Sequence, residues 1–153
     1  MHADILLRNT SGEAIAVVEA KGAMKLTAAL AMDIRRRMLS HGLPAHLPYF
    51  LLLSQERGYV WQDSPALRPD TPPTAEFPMA EVVTRYFPES PGARLHGVQL
   101  ELLLVQWLTD LSAGASAPRS EPERTLQKVG FLDAVREAQV MHEVPVGPAG
   151  ISA

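Results

Sequence analysis

Two apolar runs joined by a short turn sequence restrict the fold of this chain more than any other feature. Residues Ala3 to Arg8 and Ala14 to Lys21 are rich in residues that favour β-strands, and the segment Asn9 to Gly12 between them has the composition of a turn. The pattern predicts a β-hairpin that opens the chain. The rest of the chain must then supply partners for these strands and cover the sheet that contains them.

The residues after the hairpin predict a helix and then two strands. Good helix formers fill Ala23 to His41, and Gly42 follows them as a typical helix stop. The continuous apolar run Pro48 to Leu53 is typical of a fully buried central strand. Tyr59 to Trp61 predicts a second, shorter strand.

A proline-rich stretch separates this first part from a helical second part. Seven of the 13 prolines lie between residues 65 and 91, which predicts mostly irregular backbone there, with at most a short helix at Met79 to Phe87. Apolar residues then recur with helical spacing from Leu100 to Leu111. A last helical piece is predicted at Phe131 to Gln139, and a strand or extended tail at Val140 to Val146.

Together these elements predict a single α/β domain, with a mixed sheet opened by a β-hairpin and flanked by helices. Its 153 residues divide into a core over 1–62, a proline-rich excursion over 63–98, and accessory helices with a C-terminal segment over 99–153. No apolar run approaches the length that a bilayer requires, and the first residues lack a secretory signal. We therefore expect a cytoplasmic protein without a membrane partner. The absence of cysteine excludes disulfides, thiolate metal sites and a cysteine nucleophile.

Three charged residues in the hairpin are the best candidates for chemistry. Glu19 and Lys21 are two residues apart in one strand, so their side chains leave the same face of the sheet. Asp4, in the partner strand, joins them on that face if the register places it opposite Val17 or Glu19, whereas pairing with Val18 would turn it away. Two carboxylates at the ends of neighbouring strands form a hard-oxygen site suited to Mg²⁺ or Mn²⁺, and a nearby lysine can position or help deprotonate an attacking water. This equipment suits hydrolysis of a phosphodiester bond.

The same residues resemble the signature of the PD-(D/E)xK nuclease superfamily, whose fold is the restriction-endonuclease-like fold. The likeness covers residues 1 to about 62: Asp4 in HADILL, the Glu-x-Lys motif in VVEAKG, a helix, and the strand pair of YFLLLSQERGYVW. The segment LELLLVQWLTDL is similar, more weakly, to an accessory helix of some small relatives. The resemblance implies a metal-dependent nuclease in which Asp4, Glu19 and the Ala20 carbonyl bind Mg²⁺ or Mn²⁺ and Lys21 is catalytic. Its implied substrate is DNA, with RNA as an alternative.

The chain departs from the family pattern at two places. Members generally have a helix before the first motif strand, often with a glutamate that adds to the metal site, but only three residues precede Asp4 here. Some relatives carry a glutamine in the helix after Glu-x-Lys, and Asp33 stands at the aligned position, where it could bind metal or repel phosphate. A chain without the first helix would leave apolar sheet surface open to a partner.

The charge distribution limits where nucleic acid could bind. The formal net charge is -3, but residues 1–62 hold seven basic and five acidic side chains. Lys25, Arg35 and Arg36, next to and within the helix after Glu-x-Lys, are therefore the candidates for contacts with the nucleic-acid backbone.

A second function class stays open alongside the nuclease. A nuclease-like domain without catalysis could serve as an interaction or structural subunit, self-associating as a homodimer through the flank that the missing helix would have covered. The five histidines show no spacing typical of a zinc site, and no glycine-rich phosphate loop or serine nucleophile motif is present. A small-ligand site in the proline-rich region has no positive support.

Overall fold

The computed structural model of the chain describes residues 2–22, 25–44, 46–62, 68–89, 94–114, 118–147 and 150–151. Its strands are β1 (His2–Arg8), β2 (Ala14–Lys21), β3 (Tyr49–Ser54), β4 (Arg57–Gln62), β5 (Ala75–Pro78), β6 (Gln139–Gly147) and β7 (Gly150–Ile151). Its helices are α1 (Ala28–Ser40), α2 (Ala80–Tyr86), α3 (Gly97–Ala113), α4 (Glu121–Lys128) and α5 (Phe131–Ala134). None of the helices within the described ranges is both long and apolar enough to cross a membrane.

The strands form one mixed sheet in the order β5-β4-β3-β2-β1-β6-β7. The hairpin β1–β2 is antiparallel, as predicted, and helix α1 connects β2 to the parallel neighbour β3. Strand β4 pairs antiparallel with β3, and β5 pairs antiparallel with β4. The predicted α/β class with a mixed sheet and flanking helices is therefore confirmed at this level.

Helices cover both faces of the sheet, and because side chains alternate along each strand, neighbouring residues pack into different cores. In β2, Ala16 and Val18 contribute to a large core shared with α3, α4 and α5, while Val17 belongs to a second core under α1. Helix α3 supplies the largest helical contribution to the first core through Leu100, Leu103, Leu104, Trp107 and Leu108.

The flank of β1 is covered, which corrects the expectation of open sheet surface. Strand β6, from the end of the chain, pairs antiparallel along β1 from His2↔Pro145 to Arg8↔Gln139. Helix α3 packs against β1, β2 and β6. As a result Ile5, Leu6 and Leu7 are fully buried. A strand and a helix from the second half of the chain thus occupy the side of the hairpin on which an upstream element was expected.

Three elements of the described ranges were absent from the sequence prediction: β5, α4 and the two-residue strand β7. Strand β5 lies inside the proline-rich stretch, where it adds to the sheet edge beside β4. At the start of helix α4, Ser120 caps the N-terminus, and the side chain of Glu123 accepts a hydrogen bond from the Ser120 backbone N–H. The Ser-x-x-Glu spacing is a recognised helix start, and the sequence prediction did not use it.

Candidate functional site

Asp4 and Glu19 lie opposite each other at the end of the opening hairpin. The ladder ends at the pair Ile5 and Val18, and the same register extended by one position places Asp4 opposite Glu19, one of the two pairings that would put both side chains on one face. At this position the hydrogen bonds between the strands run from a backbone N–H to a side-chain carboxylate. The Asp4 backbone N–H donates to Glu19 Oε1 at 3.0 Å, and the Ala20 backbone N–H donates to Asp4 Oδ2 at 2.8 Å. Both carboxylates are therefore held in place by the backbone of the partner strand.

The Glu19 carboxyl is buried beside this like charge. Glu19 is only 5% exposed. Burial, and next the neighbouring Asp4 carboxylate, raise the pKa of Glu19 to about 8, while the Lys21 ammonium acts in the opposite direction. Burial beside a like charge therefore favours the protonated form of the Glu19 carboxyl near neutral pH.

Lys21 is half-buried at the last position of β2, two residues after Glu19. The alternation of strand side chains puts the two on one face, as the sequence predicted. Its charge contributes to the electrostatics of the Glu19 carboxyl. Asp4, Glu19 and Lys21 thus come together, whereas the structure neither supports nor opposes the implied role of the Ala20 carbonyl as a ligand.

A third carboxylate, Glu101, reaches the same corner from the first turns of α3. Burial raises its pKa, and a hydrogen bond with the Asp4 carboxyl and the charge of Asp4 raise it further. On its other side Glu101 Oε2 lies 3.4 Å from Nε2 of His142 in β6. Asp4 therefore stands between Glu19 of its partner strand and Glu101 of the helix above.

Strand β6 adds two more donor groups beside Glu101. Ligand atoms of Glu101, His142 and Glu143 all lie within 4.8 Å of one another, a spacing compatible with a shared metal ion. Glu143 has a φ of 54°, unusual for a residue other than glycine, at the place where the β1–β6 ladder skips the pair Asp4 and Glu143. The local departure from regular strand geometry brings two consecutive β6 residues to the site.

Sequence reasoning missed Glu101, His142 and Glu143. The available signal was Glu101 itself, a charge that interrupts the apolar sequence from Leu100 to Leu108. Its position on the helix does not reveal that α3 packs over β1, because that packing joins residues about a hundred positions apart.

The predicted nucleic-acid contacts divide into three different environments. Lys25 is exposed just before α1, as a backbone contact requires. Arg36 is exposed on α1 but forms an ion pair with Asp33 at 2.7 Å. Arg35 is 4% exposed, lies with its guanidinium 5.5 Å from the ring centroid of Trp61, and donates to the Arg68 carbonyl at 2.9 Å. The expectation for Arg35 is corrected, because a buried guanidinium stacked on a core ring presents no surface to phosphate.

Asp33 interacts with residues of its own helix, α1. It forms ion pairs with Arg36 and Arg37, and the hydrogen bond from Arg36 lowers the pKa of its carboxyl. Neither of the two roles considered for it, metal binding or repulsion of phosphate, is supported by a contact to the site.

Comparison with models of known protein families, with curated proteins and with solved structures finds no match to this chain.

Proposed function

We propose that this protein is a divalent-cation-dependent nuclease that hydrolyses phosphodiester bonds in DNA. The observation that carries the proposal is the pair of reciprocal hydrogen bonds that fixes Asp4 against Glu19 beside Lys21. The donor set fits Mg²⁺ or Mn²⁺, because both ions prefer carboxylate oxygens. Asp4 and Glu19 would hold the ion, with Glu101 as a further carboxylate.

Each residue of this site has a distinct task in the proposed reaction. When bound, the cation neutralises charge on the scissile phosphate and acidifies water. Asp4 and Glu19 keep fixed positions because backbone N–H groups hold one oxygen of each. Lys21 orients the attacking water and stabilises negative charge as it develops on the phosphate.

The topology also favours the nuclease interpretation. The order β1, β2, α1, β3 is the arrangement that the resemblance to the PD-(D/E)xK superfamily implies for the motif strands. The glutamate expected from an upstream helix has a counterpart in Glu101, which α3 delivers from the second half of the chain. DNA is the proposed substrate and RNA the alternative.

The test is cleavage of labelled duplex DNA, single-stranded DNA and RNA with Mg²⁺, Mn²⁺, Ca²⁺ or chelator. We expect cleavage with Mg²⁺ or Mn²⁺ that Asp4→Asn, Glu19→Gln and Lys21→Ala each abolish. Matched controls are Glu89→Gln and Lys128→Ala, two exposed positions outside the site that keep full activity. No cleavage of any substrate, together with no Mn²⁺ binding, would refute the proposal.

A non-catalytic, self-associating subunit is the second candidate, and one observation favours it. Val98 and Leu102, one turn apart on α3, are 64% and 57% exposed, which is high for large apolar side chains next to a site. Sedimentation of the wild-type chain and of Val98→Ser/Leu102→Ser distinguishes the two candidates. A dimer that this double variant dissociates, in a chain that binds no metal, would support the subunit.

A further inference from the structure

Gly22 follows directly after Lys21 and lies against the first residue of α3. A Cβ atom built on Gly22 would lie 3.1 Å from the Gly97 Cα, 3.3 Å from the Gly97 nitrogen and 3.7 Å from the His96 carbonyl carbon. All three neighbours are backbone atoms, so no flexible side chain can move aside. Gly22 has no positive φ, and therefore space, not backbone conformation, is what requires glycine here.

The contact sets how closely α3 approaches the end of β2. Gly97 begins α3, and Glu101 follows four residues later, on nearly the same side of the helix. One turn of α-helix is a stiff unit, so a displacement at Gly97 also moves Glu101. With this turn docked against Gly22, the Glu101 carboxyl forms a hydrogen bond with the Asp4 carboxyl.

We infer that Gly22 is a positioning residue of the proposed metal centre: its missing side chain lets α3 bring the Glu101 carboxyl against that of Asp4, one of the two proposed ligands. The inference rests on the proposed function. It also gives the Glu-x-Lys segment a second task, because the residue after the lysine fixes the position of a carboxylate nearly 80 positions away. Tight packing of supporting groups is how such sites hold their ligands in place.

The structure offers a matched control on the other side of the same contact. A Cβ built on Gly97 meets nothing within 4 Å, so Gly97→Ala adds the same methyl group without displacing the helix. We expect Gly22→Ala to weaken Mn²⁺ binding about ten-fold, as changes in supporting groups typically do, and Gly97→Ala to leave it unchanged. Titration calorimetry measures both.

A purely structural role for Gly22 would give a different result in a second background. If Gly22 acts through Glu101, Gly22→Ala causes no further loss of Mn²⁺ affinity in a Glu101→Gln chain. An equal loss in that background, unchanged affinity in the single variant, or a Gly22→Ala chain that does not fold would each overturn the inference.

A metal-free measurement separates this inference from the proposed function. If the wild-type chain binds no Mn²⁺, the nuclease proposal fails, and Gly22 is judged from the coupling between Asp4→Asn and Glu101→Gln in unfolding temperature. Loss of that coupling in the Gly22→Ala background supports the positioning role. Coupling that persists there overturns it.

Discussion

Glu101 of helix α3 lies 3.4 Å from His142 of strand β6, and this contact ties together two elements that both approach Asp4. Through Glu101 and His142, the second half of the chain reaches the end of the opening hairpin at Asp4. The His142 imidazole also offers a nitrogen donor beside carboxylates, and nitrogen donors favour Mn²⁺ and later transition metals over Mg²⁺.

Substitution of Glu101 separates its effect on folding from its effect on metal binding. In metal-free buffer Glu101→Gln removes a carboxylate that is buried against Asp4, so we expect a higher unfolding temperature than that of the wild type. With Mn²⁺ the same variant loses a ligand and should bind at least about ten-fold more weakly. Scanning calorimetry with and without Mn²⁺ measures both effects. A variant that is destabilised in both buffers would contradict the prediction.

The raised pKa of Glu19 predicts how the stability of the metal-free protein depends on pH. The folded pKa is about 8 against an unfolded value of 4.5, so the folded state binds more protons between these values. Stability therefore falls as pH rises through this window, by up to about 1.4 kcal/mol per pH unit for one proton. Urea unfolding from pH 4 to pH 9 measures the slope.

Glu19→Gln supplies the comparison for this pH prediction, because an amide does not titrate. Its stability should fall less steeply over the same window than that of the wild type. Glu89→Gln, at an exposed position, should keep the wild-type slope. Identical slopes in all three proteins would show that Glu19 titrates normally.

Lys25 and Arg35 should respond in opposite ways to removal of their charge. Lys25 is exposed four residues after Lys21 in the sequence, so Lys25→Ala should weaken DNA binding and lower the slope of log affinity against log salt by about 1, with little effect on stability. Arg35→Ala removes a buried side chain that packs on Trp61 and should destabilise the fold by about 2 kcal/mol without changing the salt slope. Fluorescence anisotropy over a salt series and thermal unfolding distinguish the two.

The hairpin could be predicted from sequence because it depends on neighbouring residues, whereas its register stayed open. The turn at Asn9 to Gly12 joins two runs whose apolar residues need burial, and the alternation fixes which residues of one strand share a face. The juxtaposition of Asp4 and Glu19 depends on the register and on the side-chain hydrogen bonds that the structure shows. Helix α1 begins later than predicted, at Ala28, where the Thr27 side chain accepts a hydrogen bond from the Leu30 N–H.

The rest of the site depends on contacts that no local pattern encodes. The pairing of β6 with β1 and the docking of α3 bring Glu101 and His142 to Asp4 from distant parts of the chain. Arg35 is a different case, because it shares a helix face with the buried residues Ala31, Ile34 and Met38, whereas Arg36 and Arg37 are exposed. What the sequence does not show is the tertiary contact of Arg35 with Trp61.

Glu123 provides a test of stability that is independent of the proposed site. It is 4% exposed and accepts two hydrogen bonds from Arg85, at 2.8 and 3.1 Å, and one from the Trp107 indole at 3.1 Å. Although burial alone would raise the pKa of its carboxyl, the hydrogen bonds from Arg85, Trp107 and the Ser120 region together lower it to about 2. The Glu123 carboxylate of α4 therefore links helices α2 and α3 to its own helix through the hydrogen bonds from Arg85 and Trp107.

The depressed pKa of Glu123 has a stability consequence of the opposite sign to that of Glu19. Its stabilising contribution, about 3 kcal/mol, is complete above the unfolded pKa of 4.5 and is lost as pH falls towards 2. Glu123→Gln should therefore unfold at a lower temperature at pH 7 and show a smaller further loss between pH 4.5 and pH 2. Glu121→Gln, exposed in the same helix, is the control, and Mn²⁺ affinity at pH 7 should be unchanged in both folded variants. If Glu123→Gln matches the wild type at pH 7, the carboxylate does not hold these helices together.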